Sequence, residues 1–259
     1  MRIFSSLKKS ISIIRESGIK VFFREIKFYL IRKSNKKPEP HFVQEYQNYV
    51  NDLKKVYLRD EAMRIAAGSG GGYIETGNLQ KEILINYGLK PNMSIIDFGC
   101  GSGRLANALP ADYNLDYLGI DVIEELLKFA RSKSPKNYKF NMHKKLLSVP
   151  VKSESMDFIC AFELFPFLLH EEIYIYLEDM KRALKKDGRV IFSFLEFDNH
   201  QHWHVFNNSV NDKKNKMPSC LNTFTEKPVL KLWAEKIGFK IIEFANTPYK
   251  QSLAIFEKP

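Results

Sequence analysis

The stretch Ser94–Arg104, which reads SIIDFGCGSGR, constrains the fold more than any other part of the chain. A short apolar run ends in Asp97 and is followed by Gly99, Gly101 and Gly103. Glycines this close together are typical of a chain that passes very near another group, because glycine has no Cβ and adopts left-handed backbone freely. A buried strand followed by such a loop favours a parallel sheet, in which ligands bind at the carboxyl ends of the strands.

From this point strand and helix patterns alternate along the chain. Short apolar runs predict strands at 94–98, 115–120, 138–142, 157–162, 189–197, 239–245 and 252–256. Helical spacing predicts helices at 103–109, 122–132, 170–186 and 226–237, with a long loop over 198–225. This order predicts an α/β fold with a doubly wound, seven-stranded, mostly parallel sheet and helices on both faces.

The residues before the sheet form two further segments. Residues 1–37 carry apolar residues at helical spacing and predict a basic amphipathic helical extension. Residues 38–90 predict a helical lead-in, with helices at 42–67 and 78–88 that flank a glycine-rich loop at Gly68–Tyr73. Residues 91–259 then form the ligand-binding domain.

The net charge of +10 is concentrated in the extension. Residues 1–37 hold eleven basic and two acidic residues, a net charge of +9, which leaves 29 basic and 28 acidic residues elsewhere. A nearly neutral body argues against a nucleic-acid groove across the domain. The extension can pack on its own domain or a partner subunit, lie on an anionic membrane surface, or bind a polyanion. The oligomeric state is left open.

The cysteine content and the hydropathy of the chain indicate its cellular compartment. Cys100, Cys160 and Cys220 are widely spaced, which makes a disulfide framework or a structural zinc site unexpected. No apolar run approaches the roughly eighteen residues of a membrane span. We expect a cytoplasmic protein, with peripheral contact to the inner membrane if residues 1–37 lie on lipid.

Two acids indicate what binds at the glycine loop. A dinucleotide fingerprint has GxGxxG spacing with a pyrophosphate at the helix N-terminus, whereas here the spacing is GxGxG and Asp97 precedes it. A carboxylate repels a pyrophosphate but suits a cationic group. Asp121 ends the next strand, where it can accept hydrogen bonds from ribose hydroxyls. Together they predict a nucleoside with a cationic end and no phosphate.

At this point the sequence resembles class I S-adenosylmethionine-dependent methyltransferases, over roughly residues 70–257. The segments that carry the resemblance are IIDFGCGSGR, YLGIDVIEELLKFAR, MDFICAFEL, YLEDMKRALKKDGRVIFSF and EKPVLKLWAEKIGFKIIEF. The resemblance implies a Rossmann-like fold, with S-adenosylmethionine bound by residues 91–259. In the family an acid often follows the third strand near the adenine, whereas this chain has Asn141-Met-His-Lys-Lys145.

The resemblance also implies which residues bind the cofactor. Asp97, Gly99 and Gly101 would line the methionine portion, Asp121 would hold the ribose, and Ile120 and Val122 would flank the adenine, with Asn141 or His143 in place of the usual acid. The full set of expected cofactor-binding residues is Asp97, Gly99, Cys100, Gly101, Gly103, Asp121, Val122, Asn141 and Phe162.

The candidate catalytic residues follow the fourth and fifth strands. A hydroxyl acceptor needs a base, and Glu163, His202 and His204 are our candidates. We expect Glu196 and Trp203 to contact the substrate, and Tyr73 to close over the site. In an extended loop His200, His202 and His204 would share one face, where they could bind zinc, but no further ligand is near and we assign no metal.

The absence of one motif narrows the class of acceptor. Enzymes that methylate the amino group of adenine or glutamine show a [DN]PP[YF]-type motif after the fourth strand, where this chain reads AFELFP. The EAMRIAAGSGGGYIETG and HWHVF segments are similar to bacterial methyltransferases of cell-surface polysaccharide pathways. We therefore expect O-methylation of a small-molecule or glycan precursor, bearing a sugar or phosphate, for capsule or lipopolysaccharide. A lipid or quinone acceptor, a binding module without turnover, and a dehydrogenase are the alternatives.

Overall fold

The structure is a computed structural model that describes residues 41–68, 72–143, 147–217, 221–247 and 251–259. The extension predicted for residues 1–37 lies outside the described residues, as do part of the glycine-rich loop and Cys220.

The described residues form one mixed seven-stranded sheet flanked by helices. Its strands are β1 (Ser94–Phe98), β2 (Asp116–Asp121), β3 (Lys139–Met142), β4 (Met156–Ala161), β5 (Leu184–Phe194), β6 (Lys240–Asn246) and β7 (Ser252–Glu257), in the order β3-β2-β1-β4-β5-β7-β6. Strands β1 to β5 pair in parallel, and β7 is antiparallel to both neighbours. The predicted doubly wound sheet is confirmed.

Eight α-helices lie within the described ranges. They are α1 (His41–Val56), α2 (Arg59–Ala66), α3 (Tyr73–Asn86), α4 (Arg104–Ala108), α5 (Glu124–Lys133), α6 (His170–Ala183), α7 (His200–Lys214) and α8 (Lys227–Ile237). Strands β1 and β7 are buried along their whole length, because helices cover both faces of the sheet.

The switch in strand order lies between β1 and β4, so their carboxyl ends open a crevice at one edge of the sheet. The first two helices close this edge. Val50 of α1 and Met63 of α2 are fully buried in a cluster with Leu126 and Phe129 of α5. This packing fixes α1 and α2 against the helix that follows β2.

Four details of the element prediction were wrong. The helix expected at 170–186 ends at Ala183, and β5 begins at Leu184 instead of residue 189. The single helix expected at 42–67 is α1 and α2, with a break at Tyr57 and Leu58. Helix α3 begins at Tyr73 instead of residue 78, so Tyr73 is helical and not part of a loop. The long loop expected after β5 contains α7, a helix of fifteen residues.

No helix within the described ranges has the length and apolar content that a bilayer-spanning segment needs.

The glycine loop gives a test of the fold. Gly103 has φ +80°, and a Cβ there would lie 2.8 Å from the Ala130 Cβ. We expect Gly103→Ala to lower the free energy of unfolding by about 2 kcal/mol or more, from strain and overpacking. Urea unfolding measures this.

Gly72→Ala is the matched control. Gly72 has φ −56°, and a Cβ there meets only the end of the Glu75 side chain, which can move. Its stability should stay within about 0.5 kcal/mol of the parent. Equal effects of the two substitutions would contradict this account of the loop.

Candidate active site

Two adjoining cavities open at the carboxyl edge of β1, β2 and β4. Each encloses about 820 Å³ of empty space, counting its open mouth. The first cavity is lined by Asp121, Val122 and His143 among others, and the second by Asp97, Gly101 and Arg104 among others. Tyr46, Gly99, Glu163 and Phe167 line both cavities, so the two cavities lie side by side.

The glycine loop bends sharply between the cavities. Gly99, Gly101 and Gly103 all have positive φ, at +84°, +53° and +80°. A Cβ on Gly101 would meet nothing closer than Ala67 at 3.9 Å, so the loop backbone faces open space. This leaves room for a ligand against the backbone.

Asp121 fixes that loop to the end of β2. Its Oδ2 accepts a hydrogen bond from the Gly101 N–H and its Oδ1 from the Ile123 N–H, both at 2.9 Å. Burial raises the pKa of Asp121, and these backbone N–H groups oppose the rise. The carboxylate keeps some acceptor capacity beyond its bonds to backbone N–H groups, and the residue lines the first cavity.

Asp97 is the buried acid of the second cavity. Its Oδ2 accepts a hydrogen bond of 2.7 Å from the Tyr117 hydroxyl. Burial raises the pKa of Asp97 to about 6, while the Tyr117 hydrogen bond and the nearby Arg104 charge lower it. An ammonium group at this carboxylate would offset the cost of burying its charge.

His143 gives the first cavity an unsatisfied polar group. Its Nε2 lies 3.2 Å from the Tyr176 hydroxyl, and its buried Nδ1 has no hydrogen-bond partner among the described residues. Ile120 and Val122 supply apolar walls nearby. An apolar slot bordered by an imidazole ring suits a heterocyclic base, so these residues fit the adenosine part of S-adenosylmethionine.

Glu163 lies where the two cavities meet. Its carboxylate Oε1 accepts a hydrogen bond of 2.9 Å from Arg104 Nη2, and its backbone N–H donates to the Ser193 hydroxyl at 2.6 Å. Glu163 has φ +56°, an unusual conformation for glutamate that the surrounding contacts hold in place. A carboxylate fixed in this way can accept a proton or hydrogen bond from a bound molecule.

The site also has a roof that sequence reasoning missed. Tyr46 and Tyr49 of α1, and Ala66 at the end of α2, line the second cavity. The Tyr46 hydroxyl donates to the Ala66 carbonyl, and its ring lies 6.4 Å from that of Phe167. No spacing rule points to these residues, because their contact with the sheet depends on tertiary packing.

The structure places most of the predicted cofactor residues on the cavity walls. These are Asp97, Gly99, Cys100, Gly101, Asp121, Val122 and Phe162. Gly103 and Asn141 lie outside both linings, and Asn141 is exposed. The Tyr73 hydroxyl donates to the Ser102 carbonyl at 2.9 Å, and Tyr73 is likewise outside both linings. The cofactor and substrate roles of these residues stay predictions.

The expected histidine face does not form, because helix α7 replaces the extended loop. His200 and His204 lie one turn apart with ring centroids 5.4 Å apart, whereas His202 points the other way and is fully buried. His202 Nδ1 contacts the Glu196 backbone N–H at 3.0 Å, and burial lowers its pKa. No group of three or more metal-ligating side chains occurs in the described part of the chain.

The remaining candidates near α7 are outside the two cavities. Glu196 is buried and pairs with Lys227 at 3.2 Å, and its carboxylate accepts a hydrogen bond from Ser252. Trp203 is 44% exposed and packs on Phe206. Neither these two residues nor His202 and His204 line either cavity. Of the three predicted catalytic residues, the structure brings only Glu163 to the site.

Comparison with known families agrees with this geometry. Residues 96–192, from β1 through most of β5, match the family described as "Methyltransferase domain". The match and the sheet order together support a class I methyltransferase domain, with S-adenosylmethionine as its cofactor.

Two curated relatives align over part of the chain. Phosphoethanolamine N-methyltransferase 3 of Arabidopsis thaliana is 28% identical over 87 residues, which cover 33% of this chain and 17% of the relative. An uncharacterized methyltransferase of Schizosaccharomyces pombe is 24% identical over 120 residues, which cover 45% of each chain. The chain thus spans less than half the length of either relative.

A solved structure shows the same fold over a longer range. Magnesium protoporphyrin IX methyltransferase of Synechocystis, solved with bound S-adenosylhomocysteine, superposes with a TM-score of 0.56 at 16% identity. The superposition covers 92% of this chain and 97% of that one. It confirms the predicted Rossmann-like methyltransferase fold.

The raised pKa of Asp97 predicts how cofactor binding depends on pH. Protonated Asp97 cannot pair with the cofactor's ammonium group, so affinity should fall as pH drops through about 6. We expect the Kd for S-adenosylmethionine to rise roughly tenfold for each pH unit below that point. Calorimetry between pH 5 and pH 7 measures it.

Asp97→Asn is the control. This variant should bind S-adenosylmethionine weakly at neutral pH. Its Kd should not rise as the pH falls through about 6, even though Asp121 remains. If the Kd of this variant rose below pH 6 as much as that of the parent, the pH dependence would belong to another group.

Proposed function

We propose that the protein is an S-adenosylmethionine-dependent methyltransferase that methylates an oxygen atom of a small-molecule acceptor. The observation that carries this is the position of Glu163, which borders both the cavity with Asp121 and the cavity with Asp97. The bound cofactor would supply a methyl group on a sulfonium, ready for in-line displacement.

The chain's own residues would hold that cofactor at both ends. Asp97 would receive the ammonium of the methionine part, and Asp121 would accept hydrogen bonds from the ribose hydroxyls. His143 would meet the base beside Ile120 and Val122. These contacts fix the direction from which an acceptor must approach.

Glu163 would act on the acceptor. Arg104 occupies its Oε1, and Oε2 faces Gly68, where the missing Cβ leaves it accessible. An acceptor hydroxyl donating to this carboxylate would be oriented toward the methyl group. As the new C–O bond forms, the hydroxyl proton passes to Glu163 and the electrons of the broken C–S bond remain on sulfur.

The roof favours a small acceptor over a polymer. Tyr46, Tyr49 and Phe167 present aromatic surface beside the polar groups of Gln80 and Glu163. Aromatic faces with a few fixed polar groups suit a ring-shaped acceptor such as a sugar. The nearly neutral charge of residues 38–259 is a further argument against nucleic acid.

We extend the proposal to a sugar or phosphate-bearing precursor of a bacterial surface polysaccharide, such as capsule or lipopolysaccharide. The basis of this extension is the resemblance given above for the EAMRIAAGSGGGYIETG and HWHVF segments, together with the aromatic lining of the second cavity. Contact of residues 1–37 with the inner membrane surface belongs to the same proposal, because that segment is basic and has apolar residues at helical spacing.

The acceptor class can be tested by methyl transfer. Purified protein with radiolabelled S-adenosylmethionine should label a mixture of nucleotide-activated sugars and sugar phosphates, in an alkali-stable ether linkage. Label in phospholipid vesicles, in a quinone precursor or in phosphoethanolamine would replace the sugar assignment. Cofactor binding without transfer to any of these would favour a binding module.

Glu163→Gln tests the proposed base on whichever acceptor that screen labels. We expect kcat to fall roughly a hundredfold, as for loss of a general base, while the Kd for S-adenosylmethionine changes less than about threefold. Steady-state kinetics and calorimetry measure the two effects.

His204→Ala is the matched control, because His204 is exposed on α7 and outside both cavities. It should leave kcat unchanged. A loss of kcat in His204→Ala with an active Glu163→Gln would restore the histidine as the base.

A further inference from the structure

An aromatic cluster lies outside the two cavities, on α7 and on the chain segments that follow β5 and precede α8. It consists of Phe197, Trp203, Phe206 and Phe224. Phe197 stacks on Phe224 with ring centroids 4.3 Å apart, and Phe206 stands perpendicular to Phe197 at 5.3 Å. Phe197 is nevertheless 45% exposed and Trp203 44% exposed. Contiguous exposed aromatic surface of this kind indicates a binding site.

Hydrogen bonds fix the two chain segments that carry Phe197 and Phe224. The Thr225 N–H donates to the Leu195 carbonyl at 2.7 Å, and the Phe197 N–H donates to Glu226 Oε1 at 2.7 Å. These contacts tie the chain after β5 to the chain before α8. The two stacked rings are therefore in place before a ligand arrives, which lowers the entropy cost of binding.

The cluster supplies the apolar part of a groove that holds about 590 Å³ of empty space, counting its open mouth. The groove is lined by Leu169, Phe197, Phe206 and Phe224 and by the polar residues His170, Glu171, Asn222 and Thr223. Among the described residues that line it there is no lysine or arginine. Aromatic surface beside a few polar groups is typical of sites for small molecules.

Two of the polar residues offer hydrogen-bond acceptors. His170 Nε2 donates to the Phe224 carbonyl at 2.9 Å, so Nδ1 of the neutral ring is an acceptor. Glu171 is exposed and adds a carboxylate. A fitting ligand donates hydrogen bonds and has an apolar face for the aromatic rings, as a sugar does. An anionic lipid headgroup or a phosphate would meet the Glu171 charge without a lysine or arginine to offset it.

The groove lies next to the first cavity, because neighbouring residues line one and the other. Leu168 lines the first cavity and Leu169 lines the groove, and Leu221 and Asn222 are divided in the same way. A backbone hydrogen bond joins these two chain segments. The groove is therefore close to the place where the acceptor is proposed to be methylated.

We propose that this groove is a second saccharide-binding site, which holds a neutral sugar unit of the acceptor while another unit is methylated beside Glu163. The choice of a saccharide rests on the proposed function. The aromatic rings would pack on the C–H face of the sugar, and His170 and Glu171 would accept hydrogen bonds from its hydroxyls. Binding of this kind strengthens acceptor affinity without changing the methyl-transfer step itself.

Saturation-transfer NMR on the full chain tests the site without turnover. The probes are neutral disaccharides and trisaccharides of glucose, galactose and N-acetylglucosamine, with S-adenosylhomocysteine added to fill the cofactor site. The parent protein should transfer saturation to the ring C–H protons of at least one probe. Phe197→Ala should weaken the binding of that probe roughly tenfold, through loss of the aromatic contact.

Glu171→Ala is a second variant, which serves if circular dichroism shows that Phe197→Ala does not fold. Glu171 is exposed, so its removal disturbs no packed core. The loss of one hydrogen-bond acceptor should weaken binding of the same probe roughly fivefold.

Tyr57→Ala is the matched control. Tyr57 is 41% exposed, close to the value for Phe197, but it lies at the break between α1 and α2 and outside the groove. This variant should bind the probe as tightly as the parent. The inference is overturned if the folded parent binds none of the probes, or if the folded groove variants bind as tightly as the parent. Sedimentation with phosphatidylglycerol–phosphatidylcholine vesicles that Phe197→Ala abolishes, in place of saccharide binding, would assign the cluster to a membrane.

Kinetics separates this inference from the proposed function. On an oligosaccharide acceptor, Phe197→Ala should raise KM roughly tenfold and leave kcat within about twofold of the parent, whereas on a monosaccharide both should be unchanged. Methyl transfer to oligosaccharides with an unchanged KM in Phe197→Ala would overturn the groove alone. Saccharide binding by a protein that methylates no acceptor would overturn the proposed function and keep the groove as a saccharide site.

Discussion

The Asp121 carboxylate organises the site, because it joins two segments that are twenty residues apart. One oxygen holds the Gly101 N–H of the glycine loop, and the other holds the Ile123 N–H after β2. The loop can follow this path only because three glycines adopt positive φ there. The strand order then brings the β4 end beside the loop, which puts Glu163 between the two cavities.

The second constraint is the Arg104–Glu163 ion pair. It connects the helix after the glycine loop to the turn after β4, and it is largely buried beneath the roof formed by α1 and α2. A buried ion pair is a poor source of net stability, because both groups lose their hydration. The ion pair instead fixes geometry, because it holds the Glu163 carboxylate and the Arg104 guanidinium together at the wall of the second cavity.

Much of the sheet and part of the site could be predicted from local sequence. Strands β1, β2 and β4 are short and largely apolar, and each ends within one residue of the point where the apolar pattern ends. Asp97 and Asp121 could be identified because parallel strands bring their carboxyl ends to one edge. Helix α7 was missed because HQHWHVF lacks a clear amphipathic period, so alternating histidines suggested an extended chain. In a helix, positions two apart face opposite sides, which separates His202 from His204.

The sequence by itself determined the doubly wound sheet, the glycine loop and the two acids that line the cavities, because these depend on residue order and on backbone preferences that are local. Only the tertiary structure decided the rest of the site. Tyr46 and Tyr49 reach the cavity because α1 packs on α5, and Arg104 meets Glu163 because β1 and β4 are neighbours. Contacts between residues far apart in sequence follow from packing, which leaves no periodic signal in the chain.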